Sequence, residues 1–465
     1  MDRDAGRIKS ELDRLYRTGG ALLRRDARVF FERLGRGDAF YAGKPLPTRF
    51  YPYILSRREA DSLGAAAEGM LAIIEKATRI VLADEALARF FALPRRRMRL
   101  IRHDPGYPRA VPCARFDSLP GRGYHKFIEL NTDGTSGMTN VDEITRLYAA
   151  GPSLRRLLAG RDLGAFDVAE SVWRALMECW RGFGGTGARE DPTIAVVDWA
   201  GVGTGQEFEA FAKLFRKKGC RAIVADPREL SYKWGKLRRG TERIDLVYRR
   251  VVSAELARRL DDVGPFIRSY LDGAVCVVGS FRSDLAHSKK MLAFLSDERH
   301  RDLFAAGERR LIDRHIPWTR KLIRGEALWR GEKRDLIELA RRDRASFVVK
   351  PAEANVGRGV VVGRHADEAQ WRRAIERGLR GGHVIQEFVP GRGASLGLLD
   401  PKFALRRYRL EIGAFLFGGR FSGVLARATS HHMIKARREE LTLPVLVCKK
   451  SPRPPATGRR RSRRG

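Results

Sequence analysis

The chain has 465 residues, 43% of them hydrophobic and 32% charged, with a formal net charge of +35. That length supports two to four domains or subdomains around a sizeable core, and no apolar run nears the roughly 20 residues that a membrane span requires. Five scattered cysteines (Cys113, Cys179, Cys220, Cys276 and Cys448) show no paired spacing, which excludes an obvious disulfide framework or zinc site and points to a reducing cytoplasm.

The opening "MDRDAGRIKSELDRLY" is charged and lacks the apolar centre of a secretory signal. The first hundred residues read mainly as helix, with apolar positions at helical spacing through "EADSLGAAAEGMLAIIEKATRIVLADEALARFFAL". Two short strands follow in "CARFDSLPGRGYHKFIELNTDGTSG", joined by a Pro- and Gly-containing reversal. Residues two apart on a strand share a face, so Arg115 and Asp117 pair on one and Glu129 and Asn131 on the other. Three oxygen-bearing side chains beside a guanidinium suit a hard cation and a triphosphate. Taken alone, "FIELN" reads more readily as the solvent face of a half-exposed strand; the upstream Arg-x-Asp and the downstream lysines turn the reading toward a site.

Helices resume in "TNVDEITRLYAAGPSLRRLLAG" and "DVAESVWRALMECWRGFG". Composition changes near Asp191, where "TIAVVDWAGVGTGQEFEAFAKLFRKKGCRAIVADP" spells a βαβ unit, followed by a short linker and the strand "RIDLVYRRVV". Gly201, Gly203 and Gly205 lack the full dinucleotide fingerprint and read as tight-turn glycines. Tyr248, Arg249 and Arg250 close the later strand as a candidate binding edge. From Val275 a strand runs into helix through "HSKKMLAFLSD"; a strand then ends at Lys350, and a loop with Gly357 and Gly359 leads to "VVVG". The helix "ADEAQWRRAIERGL" and the strand "HVIQEFV" complete the rhythm. A strand lysine ahead of a glycine loop can neutralise phosphates while backbone N–H groups close over them. His103, His125, His287 and the adjacent His431 and His432 have no identifiable catalytic partners.

The final "KKSPRPPATGRRRSRRG" carries eight Lys or Arg, but removing it leaves +27 (35 minus 8), so the excess is spread along the chain. Nucleic acid is therefore not expected as the main partner, although a basic polyanion-binding protein stands as an alternative reading.

In order and spacing, these motifs resemble those of the circularly permuted ATP-grasp ligases of the glutathionylspermidine synthase-like group, over about Arg115 to Val445. The likeness rests on "RFD", on "FIELN" twelve residues further on, on "HSKK" and on "VVKP". It implies an α/β (α+β) architecture: an ATP-grasp fold in permuted order with a Rossmann-like pre-ATP-grasp subdomain and an N-terminal helical region. The corresponding boundaries are 1–100 helical, 101–190 metal-ligand strands and helices, 191–275 Rossmann-like, 276–445 lysine-bearing lobe and hinge, and 446–465 a basic disordered tail. The resemblance implies ATP and magnesium, two ions held by Asp117, Glu129 and Asn131, with Arg115 facing the reacting phosphate. It assigns ATP contacts to Lys289, with Lys290 as a substitute, and to Lys350. Gly357 and Gly359 would cover the phosphates, Gln386, Glu387 and Val389 would form the adenine hinge, and Arg427 is a further candidate. The implied reaction joins a small-molecule carboxylate to an amine through an acylphosphate. A degenerate ATP-grasp protein that binds ATP without ligating anything is the other alternative. The long Lys289-to-Lys350 separation and the lack of a Cys–His pair in the first hundred residues leave both substrates open.

Overall fold

The computed structural model describes residues 3–37, 39–121, 123–159, 163–184, 191–354, 357–399, 404–430 and 440–448. His431, His432 and the chain from 449 onward lie outside the described residues. The fold is mixed α/β, built on several sheets.

A large antiparallel sheet runs in the order Glu440–Leu443, Arg420–Thr429, Ala404–Phe417, Cys113–Pro120, His125–Asn131, and Gly393–Leu398 also pairs with Ala404–Phe417. The strand pattern explains its two faces. Ala114, Phe116, Leu130, Leu410, Ile412 and Ala414 point into the core, while Arg115, Asp117, Arg409, Glu411 and Gly413 occupy the alternate positions. One irregularity is decisive. Ser118 pairs with Phe127 but Asp117 pairs with Glu129, so the ladder skips Ile128. This bulge lets Phe127 turn inward against Phe116, ring centroids 5.7 Å apart, while Glu129 stays opposite Asp117. Simple alternation would have set Phe127 and Glu129 on one face.

A four-stranded parallel sheet, ordered Cys276–Val278, Leu246–Arg249, Ile194–Val197, Ala222–Ala225, flanks the first. Its central strands are buried from end to end, as continuous apolar runs in a covered parallel sheet should be. The segment read as a linker is a three-stranded meander, Leu230–Lys233, Lys236–Arg239 and Glu242–Ile244. Its many charges hid an alternation that buries Leu230, Leu237 and Ile244.

The third unit is an antiparallel sheet ordered Thr319–Lys321, His383–Glu387, Phe347–Pro351, Val361–Val362. Its own core holds Leu322, Trp329, Phe347, Trp371 and Ile385. Helix Glu368–Gly381 begins with a capping box between Asp367 and Gln370 and stops at Gly382, whose φ of 65° suits glycine. The insertion between the two lysines supplies Thr319–Lys321 and the hairpin Glu326–Trp329 with Glu332–Asp335.

The N-terminal region contains helices Arg3–Thr18, Gly20–Leu34, Arg57–Ala83, Glu85–Arg89 and Arg95–Arg102. The long helical stretch expected from Glu59 to Leu93 breaks at Asp84, whose side chain caps the following helix. The first residues of the expected 446–465 tail are not disordered: Val445–Cys448 is a buried strand between Tyr53–Leu55 and Leu163–Gly164. Its residues are apolar, unlike the basic stretch beyond them. All five cysteines are buried and free. No helix among the described residues is long and apolar enough to cross a membrane.

Candidate active site

The large sheet and the lysine-bearing sheet face one another across a cavity of about 190 Å³. Glu129, Glu411, Glu440, Arg409 and Arg427 line it from one side; Lys289, Lys350, Gly357 and the segment from Gln386 to Gly391 complete it.

Asp117 is the hub of the carboxylate side. Arg115 grips it bidentately, Nε to Oδ1 at 2.7 Å and Nη2 to Oδ2 at 2.9 Å. Asn131 Nδ2 and Arg427 Nη2 each donate to Oδ2 at 2.9 Å. Burial alone would push this carboxyl up, but Arg115 and Arg427 outweigh it and hold it down at about 2. Gly413 lies beside Asp117 in the neighbouring strand. A Cβ there would come within 2.7 Å of Asp117 Oδ1 and 2.8 Å of Arg115 Cδ, so the cluster needs glycine at that place.

On the lysine side, Lys289 Nζ donates to Glu129 Oε1 at 2.7 Å and to the Ala354 carbonyl at 2.9 Å. Burial opposes ionisation of Glu129, yet Lys289 lowers its pKa below the ordinary carboxylate value. Lys350 Nζ reaches Gln386 Oε1 at 2.7 Å and the carbonyl of Ile128, the bulge residue, at 3.2 Å. Burial depresses the Lys350 ammonium to about 8, a shift that nearby Glu129 opposes and Lys289 reinforces. Gln386 is fixed in turn by donating to Thr319 Oγ1 at 3.0 Å.

Not every expected residue meets the cavity. Lys290 does not: its Nζ donates to the Phe91 carbonyl at 2.5 Å, so Lys289 is the lysine that faces Glu129. Arg115, Asp117 and Asn131 are not on the lining; Asp117 is joined to it through Arg427. Arg115 also ties down the following loop through Nη1 to the Ser136 carbonyl at 2.7 Å. Gly359 packs under Pro351, whereas Gly357 lines the cavity. At the hinge, the Glu387 and Phe388 amides donate to the Trp318 and Ser346 carbonyls, which takes these two N–H groups out of the candidate edge donors.

The candidate edge at Arg249 and Arg250 is closed. Arg249 pairs with Asp133 at 2.6 Å and Arg250 with Glu207 at 3.0 Å, all four side chains nearly inaccessible. Glu207 also accepts from the Gly137 amide at 2.9 Å, at the start of helix Met138–Ala149. These pairs lock the turn that follows Asn131, and so position the hairpin.

Two functional candidates have no counterpart in the motifs. Glu411 and Glu440 both pair with Arg427, Glu440 through Nη1 at 3.0 Å. Glu411 follows the period of Arg409 and Gly413 on a strand, a signal that becomes readable only once that face is known to line a cavity.

Among the described residues no three His, Cys, Asp or Glu side chains are grouped to hold a metal by themselves. The hairpin instead offers two carboxylates and an amide. That donor set fits magnesium, which is ordinarily held by one or two carboxylates together with substrate phosphates rather than in an all-protein cage.

The sequence matches no protein-family model and no curated protein. Among solved structures, the chain is similar to a glutathione synthetase-like effector from Globodera pallida in its apo form. The TM-score is 0.57 at 12% identity, covering 91% of this chain and 96% of that one. A D-cycloserine synthetase aligns with 55% of this chain and 91% of its own at TM-score 0.28 and 15% identity, too distant to weigh. The first likeness speaks to architecture: this chain shares the overall fold of a glutathione synthetase-like protein.

Proposed function

We propose that the chain is an ATP-dependent carboxylate–amine ligase, with an ATP-grasp fold in circularly permuted order. One observation carries this reading: Lys289 and Lys350, 160 and 222 residues from their hairpin partners, converge with Glu129 on one cavity. A buried crevice that sets two cations opposite carboxylates suits a metal-bound polyphosphate.

In this reading Lys289 and Lys350 neutralise the phosphates, and Gln386 and the Val389 backbone orient the adenine. A magnesium ion held by Asp117, Glu129 and Asn131 would supply charge neutralisation at the β- and γ-phosphates. A substrate carboxylate oxygen bonds to the γ-phosphorus as the bond to ADP breaks, giving an acylphosphate. The amine nitrogen then bonds to the acyl carbon, phosphate leaves, and the amine proton passes to solvent. The chain's contribution is positioning and charge stabilisation, with no nucleophilic side chain required. The loop that carries Gly357 would have to cover the cavity to protect the acylphosphate from water.

The test is an ADP-release screen against small carboxylic acids and amines, with amide products identified by mass. Release that needs both substrates and is lost in Glu129→Gln, a variant expected to fold, is the predicted result. Nucleotide binding without such release would favour a degenerate ATP-grasp protein. Salt-steep polyanion binding by a chain that binds no ATP would favour the basic-protein reading.

A further inference from the structure

The meander Leu230–Lys233, Lys236–Arg239, Glu242–Ile244 contributes no residue to the cavity of the proposed ligation. Its inner face, Leu230, Leu237 and Ile244, is buried, and the first strand packs against helix Gly264–Leu271. Its outer face is cationic. Lys233 stands directly opposite Lys236, and Arg238 directly opposite Arg243. Like charges paired across strands destabilise a sheet. Asp245 offsets Arg243 at 2.8 Å, and Arg238 donates to the Thr241 carbonyl, but Lys233 and Lys236 have no ion-pair partner among the described residues. At the tip, Trp234 is 85% exposed. It and Gly235 form a two-residue turn with φ of 51° and 66°, a place where Asn-Gly is favoured and a bulky side chain is costly. An unfavourable residue and unfavourable charge pairs therefore share one hairpin, away from the cavity.

We infer that this hairpin is a binding surface for single-stranded nucleic acid, with Trp234 stacking on a base and Lys233, Lys236, Arg238 and Arg243 meeting successive phosphates. Exposed aromatics beside a cationic track are the physical means of binding single strands. Shape favours this occupant over an anionic membrane. A bilayer would meet the tip alone, whereas the cations run back along the sheet face, where only an elongated polyanion can follow them.

The experiment measures anisotropy of a fluorescein-labelled thymidine oligonucleotide of about 20 residues binding to the full chain. Its arms are Trp234→Asn, which keeps a favoured turn, and a Lys233→Gln/Lys236→Gln double variant. Because the whole chain is basic, the differences between variants are what count. Trp234→Asn should weaken binding about tenfold. The double variant should flatten the log–log salt slope by about 1.4, the effect of two lost phosphate contacts on a single strand. Both should keep the wild-type circular dichroism. Wild-type affinity in Trp234→Asn would overturn the inference. So would a Trp234-dependent association with phosphatidylserine vesicles in the absence of Trp234-dependent oligonucleotide binding.

Discussion

Lys289 Nζ lies 2.7 Å from Glu129 Oε1, and through this contact the lysine-bearing segment and the hairpin close on each other. Both side chains are largely buried, at 5% and 23% exposure, so removing either leaves a charge in low dielectric. The same ammonium holds the Ala354 carbonyl, so an arriving phosphate would exchange partners with the chain rather than enter an unpolarised space. Four experiments follow from this geometry, before the one that bears on the site as a whole.

The first concerns pH. Lys350 has a folded-state pKa near 8 against an ordinary 10.5. The unfolded chain therefore binds more protons between those values, and this group's contribution to stability improves as pH rises from about 8 to 10.5. Its cation, by contrast, is lost over that rise. Affinity for an ATP analogue should fall as pH passes about 8, and Lys350→Arg should flatten that fall. Calorimetric titration at pH 7 and pH 9 measures both.

Gly413→Ala should damage the cluster without removing any of its charges. The new methyl would collide with Asp117 and Arg115, and overpacking of this kind costs about 1–3 kcal/mol. Chemical denaturation should show that loss, with magnesium-dependent ATP turnover reduced beyond what the unfolded fraction explains.

Arg427→Met leaves Asp117, Glu411 and Glu440 without their shared guanidinium. Destabilisation of about 3–5 kcal/mol is expected from the uncompensated buried charge. Asp117 loses one of the two guanidinium groups that hold its carboxyl down, so its folded-state pKa rises and the folded variant takes up protons more readily than the wild type as pH falls. The deficit should therefore be smaller at pH 5 than at pH 8 in denaturation curves.

Asp133→Asn tests the brace behind the hairpin. Asp133 pairs with Arg249 and accepts from the Ser253 amide at 2.7 Å. Asn cannot neutralise the buried guanidinium, so a loss of about 3–5 kcal/mol should appear in denaturant unfolding.

The parallel sheet and the strand that ends at Lys350 were legible because continuous apolar runs such as "IAVV" and "FVV" have one natural home, a covered strand. The polar alternation of Arg115, Asp117, Glu129 and Asn131 likewise marked side chains that gather on one face of the hairpin. Ile128 was not legible as a bulge, because a skipped residue depends on its partner strand and leaves no local mark. Gly413 sits 296 positions from Asp117, and its glycine matters only through a neighbour supplied by topology. Arg249 and Arg250 looked like a binding edge because the sequence places two arginines at a strand end. Their acids, Asp133 and Glu207, come from distant segments.

The most direct measurement is isothermal titration of a non-hydrolysable ATP analogue with magnesium into the wild-type chain, Lys289→Ala and Lys350→Ala, with folding checked by circular dichroism. Stoichiometric binding by the wild type, weakened at least about tenfold in each folded lysine variant, is the predicted result. Absence of binding by the wild type, or equal affinity in all three proteins, would contradict the assignment of this cavity to a nucleotide.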